Sequence, residues 1–471
     1  MYTLENISSE AISIISSKKA FENSIIPINV EEGSLLIGVP DKNDQKLINE
    51  LSFLTGLKIK TIEIPPDIIL KRLKEVYTTG NHPQTGSIHA ERPNLEHSNV
   101  EFVNQIISGA IKNNASDIHF EAYEKVFRIR YRIDGHLREI MSLSHNKSLA
   151  ITSRLKIMAN LDISEKRRPQ DGKIRFLYDN KYIDIRVSTL PTSFGEKIVL
   201  RILDKSSLEL EPKKLGLSES QYEIFSKHLH LPYGMILVTG PTGSGKTTTL
   251  YAALNEIHSI EKNIMTVEDP IEYNLNGINQ TNVKPDLGLD FAAALRSFLR
   301  QDPDIIMVGE IRDKETAEIA IRASLTGHLV FSTLHTNDSI SAITRLIDMG
   351  VEPFLVSSSV KLIIAQRLVR KLCSCKIKST KDNSAGIDNN TGYNKKGCEK
   401  CSYTGYSGRL ALFELLPVTE TLAELISKHS GSSAIKQEAL KNGFTSLRES
   451  GNEKIKLGIT TYEEVIRETS L

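Results

Sequence analysis

Short apolar runs recur through the second half of the chain, and polar stretches with helical spacing separate them. The clearest runs are MILVTG at 235–240, NIMTVED at 263–269, DIIMVGE at 304–310 and HLVFSTLH at 328–335. Apolar runs of this length, bounded by turn residues, are typical of strands buried on both faces of a sheet. Their alternation with helices predicts a parallel α/β sheet, and we place this domain at residues 211–372.

The preceding segment alternates apolar and charged residues, which is the pattern of strands with one exposed face. VFRIRYRIDG at 126–135 has this period of two and ends in an Asp-Gly turn. The longer run KYIDIRVSTLPTSFGEKIVLRIL at 181–203 predicts two further strands, and VEFVNQIISGAIK at 100–112 predicts an amphipathic helix. We therefore predict a mixed α+β domain over residues 99–210.

Both ends of the chain are predicted to form smaller units. Residues 1–77 combine an extended run, SLLIGVP, with a helical one, DIILKRLKEVY. Residues 78–98 are rich in Gly, Pro, Asn, Ser and His, a composition typical of a linker. Short helical stretches separated by glycine dominate residues 409–471, which we predict to be a C-terminal helical subdomain.

Composition places the chain among ordinary globular proteins. Its 471 residues suggest about three domains, and 39% of them are apolar while 25% are charged. The formal net charge of +1 leaves no strong basic field, so we expect no direct nucleic-acid partner. No apolar run approaches the ~18 residues of a membrane-spanning helix. The N-terminus lacks the basic start and apolar core of a secretory signal. We expect a cytoplasmic protein.

A glycine-rich stretch after the first apolar run has the spacing G-x-x-x-x-G-K-[ST]. Gly240 and Gly245 let the backbone curl without Cβ clashes, so several N–H groups can converge on phosphate oxygens. Lys246 is predicted to reach the β and γ phosphates, and the Thr247 hydroxyl to ligate Mg²⁺. The following helix directs its N-terminal partial charge at the same phosphates. The predicted nucleotide-binding residues are Gly240, Pro241, Thr242, Gly243, Ser244, Gly245, Lys246, Thr247 and Thr248.

Two strands of this domain end in acidic residues, and hydrolysis of a nucleotide needs a polarised water. Glu310 follows the strand 305–308 and is our predicted general base, at the tip of a strand beside the phosphate loop. Glu268 ends the preceding strand, and we assign it to the shell of metal and water. A carboxylate with only a solvated or structural role is the alternative for each.

Two histidines, His328 and His335, flank the run LVFSTL. On a strand they would face opposite sides, and at least one should lie at the mouth of the site near the γ-phosphate. We predict a sensing or hydrogen-bonding role for them, because nucleotide hydrolysis does not need a histidine base. A satisfied structural histidine is the alternative for each.

All four cysteines lie in one short segment, within a subdomain that we place at residues 373–408. Cys398 and Cys401 form a C-x2-C pair, the usual spacing of structural zinc ligands, whereas Cys373 and Cys375 are closer together, as C-x-C. Four thiolates in a reduced compartment favour a tetrahedral Zn²⁺ ion, which is structural because no position is open for water. A site that is metal-free or binds weakly is the alternative.

Several long motifs, in a fixed order, resemble the secretion ATPase superfamily. GPTGSGKTTT is similar to its Walker A motif, TVEDPIEY to its Asp box, LRSFLRQDPDIIMVGEIRD to its Walker B region and TGHLVFSTLHTND to its His box. SDIHFE, RIRYRIDG, RRPQDG, RVSTLPTSFGEKIVLRIL and the cysteine segment resemble more narrowly the type II secretion and type IV pilus assembly ATPases. The resemblance extends from about residue 100 to 471, whereas residues 1–77 resemble that family's N-terminal module only loosely.

This resemblance implies a RecA-like P-loop ATPase core, preceded by a PAS-like α+β domain and a small N-terminal domain. It implies ATP and Mg²⁺ as cofactors, and a ring, usually a hexamer, at the cytoplasmic face of the bacterial inner membrane. ATP turnover would move the domains of the ring, drive a membrane platform protein and add pilin or pseudopilin subunits to a fibre. Residues 1–77 would bind a membrane-anchored adaptor.

The resemblance also implies roles for four cations. Arg296 and Arg300 would form a nucleotide-facing pair that shares one helical face, since they stand at i and i+4. Arg186 and Lys173 of the preceding domain would bring charge onto the bound phosphates. The family has arginine where Lys173 stands, and lysine lacks the planar, two-pronged guanidinium. Loss of the γ-phosphate would then release one domain from the other, which turns chemistry into displacement.

Three alternatives remain open to the sequence. A DNA-transport ATPase of the same superfamily is disfavoured by the cysteine segment and by the near-neutral charge. A nucleotide-gated scaffold without turnover is disfavoured by Glu310. A retraction motor is disfavoured because, by the resemblance, such proteins lack the cysteine segment. The sequence does not separate secretion from pilus assembly.

Overall fold

The structure is a computed structural model. It describes residues 99–203, 210–378 and 392–470 and, nearer the N-terminus, residues 7–8, 11, 14–15, 20, 23–31, 34–42, 47–48, 51–52, 55 and 57–78. The chain forms two compact units, Met1–Ile106 and Ile107–Leu471. The predicted linker, apart from Thr78, lies outside the described residues.

The first unit contains, among its described residues, a three-stranded sheet and a helix. Its strands are β1 (Ile26–Glu31), β2 (Ser34–Val39) and β3 (Lys58–Glu63), and helix α1 spans Pro66–Thr78. β1 pairs antiparallel with β2, and β2 pairs parallel with β3. α1 buries Ile69 and Leu73, which lie one turn apart, as its helical spacing predicts. The predicted extended run and helix of this segment are confirmed.

Helix α2 (Asn99–Lys112) crosses the boundary between the units, and an antiparallel sheet follows it. The strands are β4 (Ala115–Ala122), β5 (Val126–Ile133), β6 (His136–Ser144), β7 (Gln170–Tyr178), β8 (Lys181–Thr192) and β9 (Gly195–Leu203), with helix α3 (Ser148–Met158) after β6. Their order across the sheet is β6-β5-β4-β9-β8-β7. In β4, Ile118 and Phe120 are fully buried, whereas the alternate residues Asp117 and Glu121 pair with cations on the other face. The predicted helix and strands of this α+β region are confirmed.

The predicted parallel α/β sheet is present and has seven strands. They are β10 (Gly234–Thr239), β11 (Ile264–Glu268), β12 (Asn279–Asn282), β13 (Ile305–Val308), β14 (Leu329–Leu334), β15 (Val360–Leu372) and, after a short hairpin of β16 (Ile377–Lys378) and β17 (Tyr393–Asn394), β18 (Tyr406–Pro417). The order is β12-β11-β13-β14-β10-β15-β18. All neighbours pair in parallel except β18, which runs antiparallel to β15.

Helices cover both faces of this sheet. They are α4 (Glu219–Leu229), α5 (Lys246–Ile257), α6 (Phe291–Phe298), α7 (Lys314–Leu325), α8 (Ser339–Asp348) and α9 (Pro353–Ser359). In β10, Met235 and Leu237 pack with α6 to α9, and Ile236 and Val238 pack with α4 and α5. Burial on both faces explains why the strand reads as a continuous apolar run.

The end of the chain differs from the prediction in one respect. Residues 406–417, most of which we assigned to the C-terminal helical subdomain, form β18 and complete the sheet. Four helices follow, α10 (Glu420–Ser427), α11 (Ser432–Lys441), α12 (Leu447–Lys456) and α13 (Tyr462–Thr469). In the described part of the chain, none of the helices has both the length and the hydropathy of a membrane span.

Candidate nucleotide site and cysteine centre

The phosphate-binding motif forms the loop between β10 and α5, at the carboxyl edge of the parallel strands. α5 begins at Lys246, directly after Gly245 at φ 89°. Gly240, at φ 148°, has no room for a side chain, because a Cβ there would lie 2.5 Å from the carbonyl oxygen of Gln366. Glycine therefore provides both the backbone angles of the loop and its close passage over β15. The N-terminus of α5, with its unpaired N–H groups, faces the loop.

Lys246 is bound by the loop itself. Its Nζ donates to the carbonyl oxygens of Gly240 (2.9 Å) and Pro241 (3.1 Å). Burial lowers the pKa of Lys246, while Glu310 opposes that shift and Arg367 reinforces it. The ammonium group therefore lies in the field of the predicted base. Phosphate oxygens in the loop would offer it charged acceptors, which bind an ammonium more strongly than neutral carbonyls do.

The hydroxyl groups of the motif divide between surface and interior. Thr247 is exposed at the start of α5, where a ligand can reach it, and Ser244 is buried. The Ser244 hydroxyl has no hydrogen-bond partner among the described residues. Thr249, further into the helix, donates to the side-chain oxygen of Gln366 at 2.7 Å and so ties α5 to β15.

Glu310 lies at the same edge of the sheet, beyond the end of β13. We expected its strand to lie directly beside β10, but β14 lies between the two. The carboxylate pairs with Arg312 and with His335, whose Nε2 is 3.2 Å from Oε2. Burial raises the pKa of Glu310, but Arg312 and His335 outweigh it and hold the pKa below its ordinary value. The group is thus ionised and able to accept a proton from water.

The two predicted histidines lie at opposite edges of the sheet. His335 follows β14 at the carboxyl edge, beside Glu310. His328 precedes β14, and its Nδ1 lies 2.9 Å from the carbonyl oxygen of Ala323. Six strand residues separate them by about 20 Å. His328 therefore lies away from this phosphate loop, which the carboxyl ends of the strands border, and this geometry does not support its predicted role there.

Glu268 ends β11 but lies in a buried network. Its carboxylate accepts hydrogen bonds from the Tyr251 hydroxyl, from Thr266 Oγ1 at 2.7 Å and from Gln280 Nε2 at 3.0 Å. The residue is 3% exposed. Both carboxylate oxygens are held by the protein's own donors, so this geometry does not support the predicted metal–water role.

Arg296 and Arg300 are both exposed, on α6 and on the turn beyond it. α6 ends at Phe298, ahead of Pro303, so the predicted shared helical face does not extend to Arg300. Arg296 pairs with Glu315 of α7 at 2.5 Å, and Arg300 donates to the carbonyl oxygen of Arg296 at 2.7 Å. Within the described ranges, these contacts do not reach the phosphate loop. A nucleotide-facing role for the pair stays a prediction.

Arg186 and Lys173 are direct cross-strand neighbours in β8 and β7. Arg186 reaches the segment that follows β11, where its Nη2 donates to the carbonyl oxygen of Ile271 at 3.0 Å. Its Nη1 lies 3.3 Å from the carboxylate of Glu272. Lys173 is exposed beside it. The antiparallel sheet thus contributes a cation to the edge of the α/β sheet, although its present partner is a carboxylate.

The four cysteines converge in space. All four Sγ atoms lie within 4.8 Å of one another, and the pairs Cys373–Cys398, Cys375–Cys401 and Cys398–Cys401 are 3.8, 3.9 and 3.8 Å apart. Sulfurs arranged tetrahedrally around zinc, at ~2.3 Å each, are ~3.8 Å from one another. The cluster therefore has the size of a ZnS₄ centre, and the short C-x-C spacing does not keep either thiol out.

Backbone amides prepare one of these thiols to act as a ligand. Cys401 Sγ accepts from the N–H groups of Cys398 (3.1 Å) and Gly405 (3.2 Å). Burial raises the pKa of Cys401, but these amide donors and the neighbouring thiols lower it to about 6. A thiolate, the form that binds zinc, is therefore favoured here near neutral pH.

Several contributors to the site were not anticipated. Arg312 had a signal, since it stands two residues after Glu310 in the same strand-end loop. Gln366 and Tyr251 had none, because their partners are remote in the sequence. Thr249 and Gln366, for example, are 117 residues apart.

Comparison with known families identifies the class of this chain. Residues 95–467 match the family described as "Type II/IV secretion system protein", and residues 3–82 match the "MshEN domain". The first match spans most of the chain. The chain belongs to the Type II/IV secretion system protein family.

Characterised relatives refine that assignment. The chain is 45% identical to the type IV pilus assembly ATPase PilB of Myxococcus xanthus, over 99% of this chain and 88% of the relative. It is 49% identical to the type II secretion system ATPase E of Vibrio cholerae, over 79% of this chain and 75% of the relative. Among solved structures, the pilus retraction motor PilT with bound ADP matches with a TM-score of 0.53 and 29% identity, over 77% of this chain and 96% of PilT.

Proposed function

We propose that this chain hydrolyses ATP to power the assembly of pilin or pseudopilin subunits through an inner-membrane platform. One observation carries the proposal. The phosphate loop closed by Lys246 and the ionised carboxylate of Glu310 share the carboxyl edge of one sheet, within electrostatic reach of each other. Membership of a secretion family with relatives named as ATPases supports it.

We assign the following roles at this edge. The loop from Gly240 to Thr248 would hold the phosphates, and the exposed Thr247 hydroxyl would ligate Mg²⁺, whose charge would offset that of the phosphates. Glu310 accepts a proton from the attacking water. His335, which borders Glu310 and is itself half exposed, senses the γ-phosphate by hydrogen bonding.

Cations from outside the loop complete the proposed site. Arg186 exchanges its contact with Glu272 for the phosphates when ATP binds, and the adjacent Lys173 adds charge without a bidentate grip. Arg296 on α6 and Arg300 on the turn beyond it act from the exposed surface, a position suited to a neighbouring copy in a hexameric ring. Release of Arg186 after hydrolysis then lets the antiparallel sheet move relative to the α/β sheet.

The cysteine cluster is proposed to hold one structural Zn²⁺. Zinc would fix a segment that contacts the C-terminal helices, since Lys376 Nζ donates to the carbonyl oxygen of Gly458 at 2.6 Å and Lys395 pairs with Glu463 at 3.1 Å. A working site of this kind contributes roughly 10 kcal/mol or more to local folding. Metal analysis of the purified chain should find one zinc per chain.

Cysteine substitution tests the zinc assignment directly. Cys398→Ser should lose the metal and have a lower thermal unfolding midpoint than wild type. Ser374→Ala, which lies between two of the ligands, should retain the metal and the wild-type midpoint. A metal-free wild-type chain with the stability of Cys398→Ser would contradict the assignment.

Location and partners follow from the same proposal. The chain acts as a hexamer in the cytoplasm, at the inner face of the inner membrane, and residues 1–77 bind a membrane-anchored adaptor. PilB of Myxococcus xanthus aligns over 99% of this chain, and the type II secretion system ATPase E of Vibrio cholerae over 79% of it, which favours pilus assembly.

Gene deletion in the native host tests this function. Loss of surface pilin fibres, restored by the wild-type gene and not by Lys246→Ala, is the expected result. Loss of secreted enzymes with fibres intact would assign the chain to secretion. Loss of DNA transfer alone would replace the proposal with a DNA-transport ATPase.

A further inference from the structure

The buried guanidinium of Arg367 lies between the segment that follows β14 and the last helix of the chain. Its Nη2 donates to Asn337, to the carbonyl oxygen at 3.2 Å and to Oδ1 at 3.1 Å. Its Nε donates to the carbonyl oxygen of Glu468, in α13, at 3.2 Å. Arg367 itself is 8% exposed, whereas Asn337 lies at the surface. A single side chain thus bridges two elements that lie far apart in the sequence.

Stability alone does not explain an arginine at this position. Its acceptors are neutral oxygens rather than a carboxylate, and Nη1 has no hydrogen-bond partner among the described residues. The carboxylates of Glu468, Asp338 and Glu414 attract the guanidinium without forming hydrogen bonds to it among the described residues, and burial outweighs them and lowers the pKa of Arg367. Burial of a charge without a hydrogen-bonded carboxylate is unfavourable, and an apolar side chain of similar volume is often at least as stable. An arginine at this position therefore suggests that its role is to hold Asn337 and the end of α13 in place.

The segment it holds contains the residues that contact the proposed active site. His335 Nε2 lies 3.2 Å from Glu310 Oε2. Thr336 joins the base of the phosphate loop, since its N–H donates to Thr239 Oγ1 at 2.9 Å and the two hydroxyls are 2.7 Å apart. Asn337, the third residue in succession, is the one bound by Arg367. The conformation of residues 335–337 therefore affects both Glu310 and the phosphate loop.

The second contact of Arg367 anchors it in the last turn of a helix. α13 ends at Thr469, so the carbonyl of Glu468 is among the last four, which have no N–H donor within the helix. Helix C-termini carry partial negative charge and favour a cation. The last helix thereby fixes the guanidinium, which in turn fixes Asn337.

We infer that Arg367 is a positioning residue, which holds residues 335–337 in the geometry needed for hydrolysis and links that geometry to the last helix. This inference rests on the proposed function of the site. Misplacement of a catalytic group by about 1 Å can reduce rates by about 10²-fold, so loss of this support should affect turnover more than nucleotide binding.

Arg367→Lys is the test variant, because it keeps the charge near the phosphates but cannot make all three contacts. Arg370→Lys is the matched control. Arg370 lies on the same strand and contacts the same helix, through Glu464 at 3.0 Å, but within the described part of the chain its side chain does not bond to residues 335–337. The control therefore alters a different guanidinium contact with α13 and leaves the three bonds of Arg367 in place.

We expect Arg367→Lys to lower the rate of ATP hydrolysis by about tenfold or more. Affinity for a fluorescent ATP analogue should stay within about threefold of wild type, and the unfolding midpoint should not change. Amide hydrogen exchange at residues 335–338 should accelerate. Arg370→Lys should hydrolyse ATP at a rate within about twofold of wild type.

Three results would overturn the inference. They are unchanged turnover in Arg367→Lys, a loss of analogue affinity as large as the loss of turnover, and an equal loss of turnover in Arg370→Lys. If the wild-type chain fails to hydrolyse ATP, the proposed function fails, and the exchange rates at residues 335–338 still decide whether Arg367 positions the segment.

Discussion

Glu310 and Glu268 stand at the carboxyl ends of neighbouring parallel strands, β13 and β11, yet their surroundings differ. The Glu310 side chain is 18% exposed and pairs with Arg312 and His335. More than half of the Arg312 side chain is exposed, and half of the His335 side chain. Glu268 is 3% exposed and is bound by buried hydroxyl and amide donors.

Under the proposed function, the difference separates a reactive carboxylate from a structural one. Exposed cations can leave Glu310 when a nucleotide and its metal arrive, because surface ion pairs are weak. The donors of Glu268 come from α5, β11 and β12, and their removal would leave buried polar groups unpaired. The same sequence signal, an acid at a strand end, thus gives two kinds of group, and the covering elements decide which.

The largest expected effect is on nucleotide binding, and it concerns Lys246. Glu310 acts on the pKa of Lys246, while Glu268 is not among the groups that shift it, so the loop and Glu310 form one site. Lys246→Ala should weaken binding of an ATP analogue by about 10²–10³-fold, since charge-assisted bonds to phosphate are lost. Fluorescence titration measures this.

A second buried lysine provides the control for that titration. Lys454 of α12 is 8% exposed and has no assigned role at the site. Its alanine variant should bind the analogue like wild type. Equal affinities for Lys246→Ala and wild type would show that the loop does not bind the phosphates. Glu310 would then no longer belong to a nucleotide site.

The next effect is on stability and concerns Glu268. Glu268→Gln replaces one acceptor oxygen by an amide that faces the donors of Tyr251, Thr266 and Gln280. The free energy of unfolding should fall by about 1–3 kcal/mol, measured by urea denaturation. Glu310→Gln, whose neighbours are exposed, is the matched variant and should change it little. A reversed order of stabilities would contradict the structural role of Glu268.

The smallest expected effect is on pH dependence and concerns Arg312. Burial raises the pKa of Glu310 and Arg312 lowers it, so removal of Arg312 leaves the raising influence of burial and the pKa goes up. Since the base must be deprotonated, Arg312→Met should lose activity at a higher pH than wild type as the solution is acidified. Arg322→Met, an exposed arginine of α7, should not shift the profile. Coincident acid limbs in Arg312→Met and wild type would show that Arg312 does not act on the base.

The strands that position the site were predictable because burial on both faces leaves a continuous apolar run. The edge at which a flanking residue lies was harder to predict. His328 and His335 look equivalent around one strand, and only the common direction of the parallel strands places His335 at the phosphate loop. Once that direction is considered, the sequence places His328 at the amino edge, away from the loop.

Contacts between remote segments were not predictable from one sequence. The second half of β18 is a mostly apolar, buried run, but nothing in its own residues shows that it pairs with β15. The acceptors of Arg367 and the partner of Thr249 depend on the same assembly of distant strands and helices. Local patterns determine elements, whereas tertiary packing determines which polar groups meet.

The most direct test of the central claim is a single-turnover experiment on Glu310→Gln and Glu268→Gln side by side, with ATP labelled at the γ-phosphate and rapid quenching. Glu310→Gln should bind ATP with Mg²⁺ yet hydrolyse it about 10²–10³-fold more slowly than wild type, while folded Glu268→Gln hydrolyses it at close to the wild-type rate. Hydrolysis at the wild-type rate by Glu310→Gln, or an arrest confined to Glu268→Gln, would contradict the account.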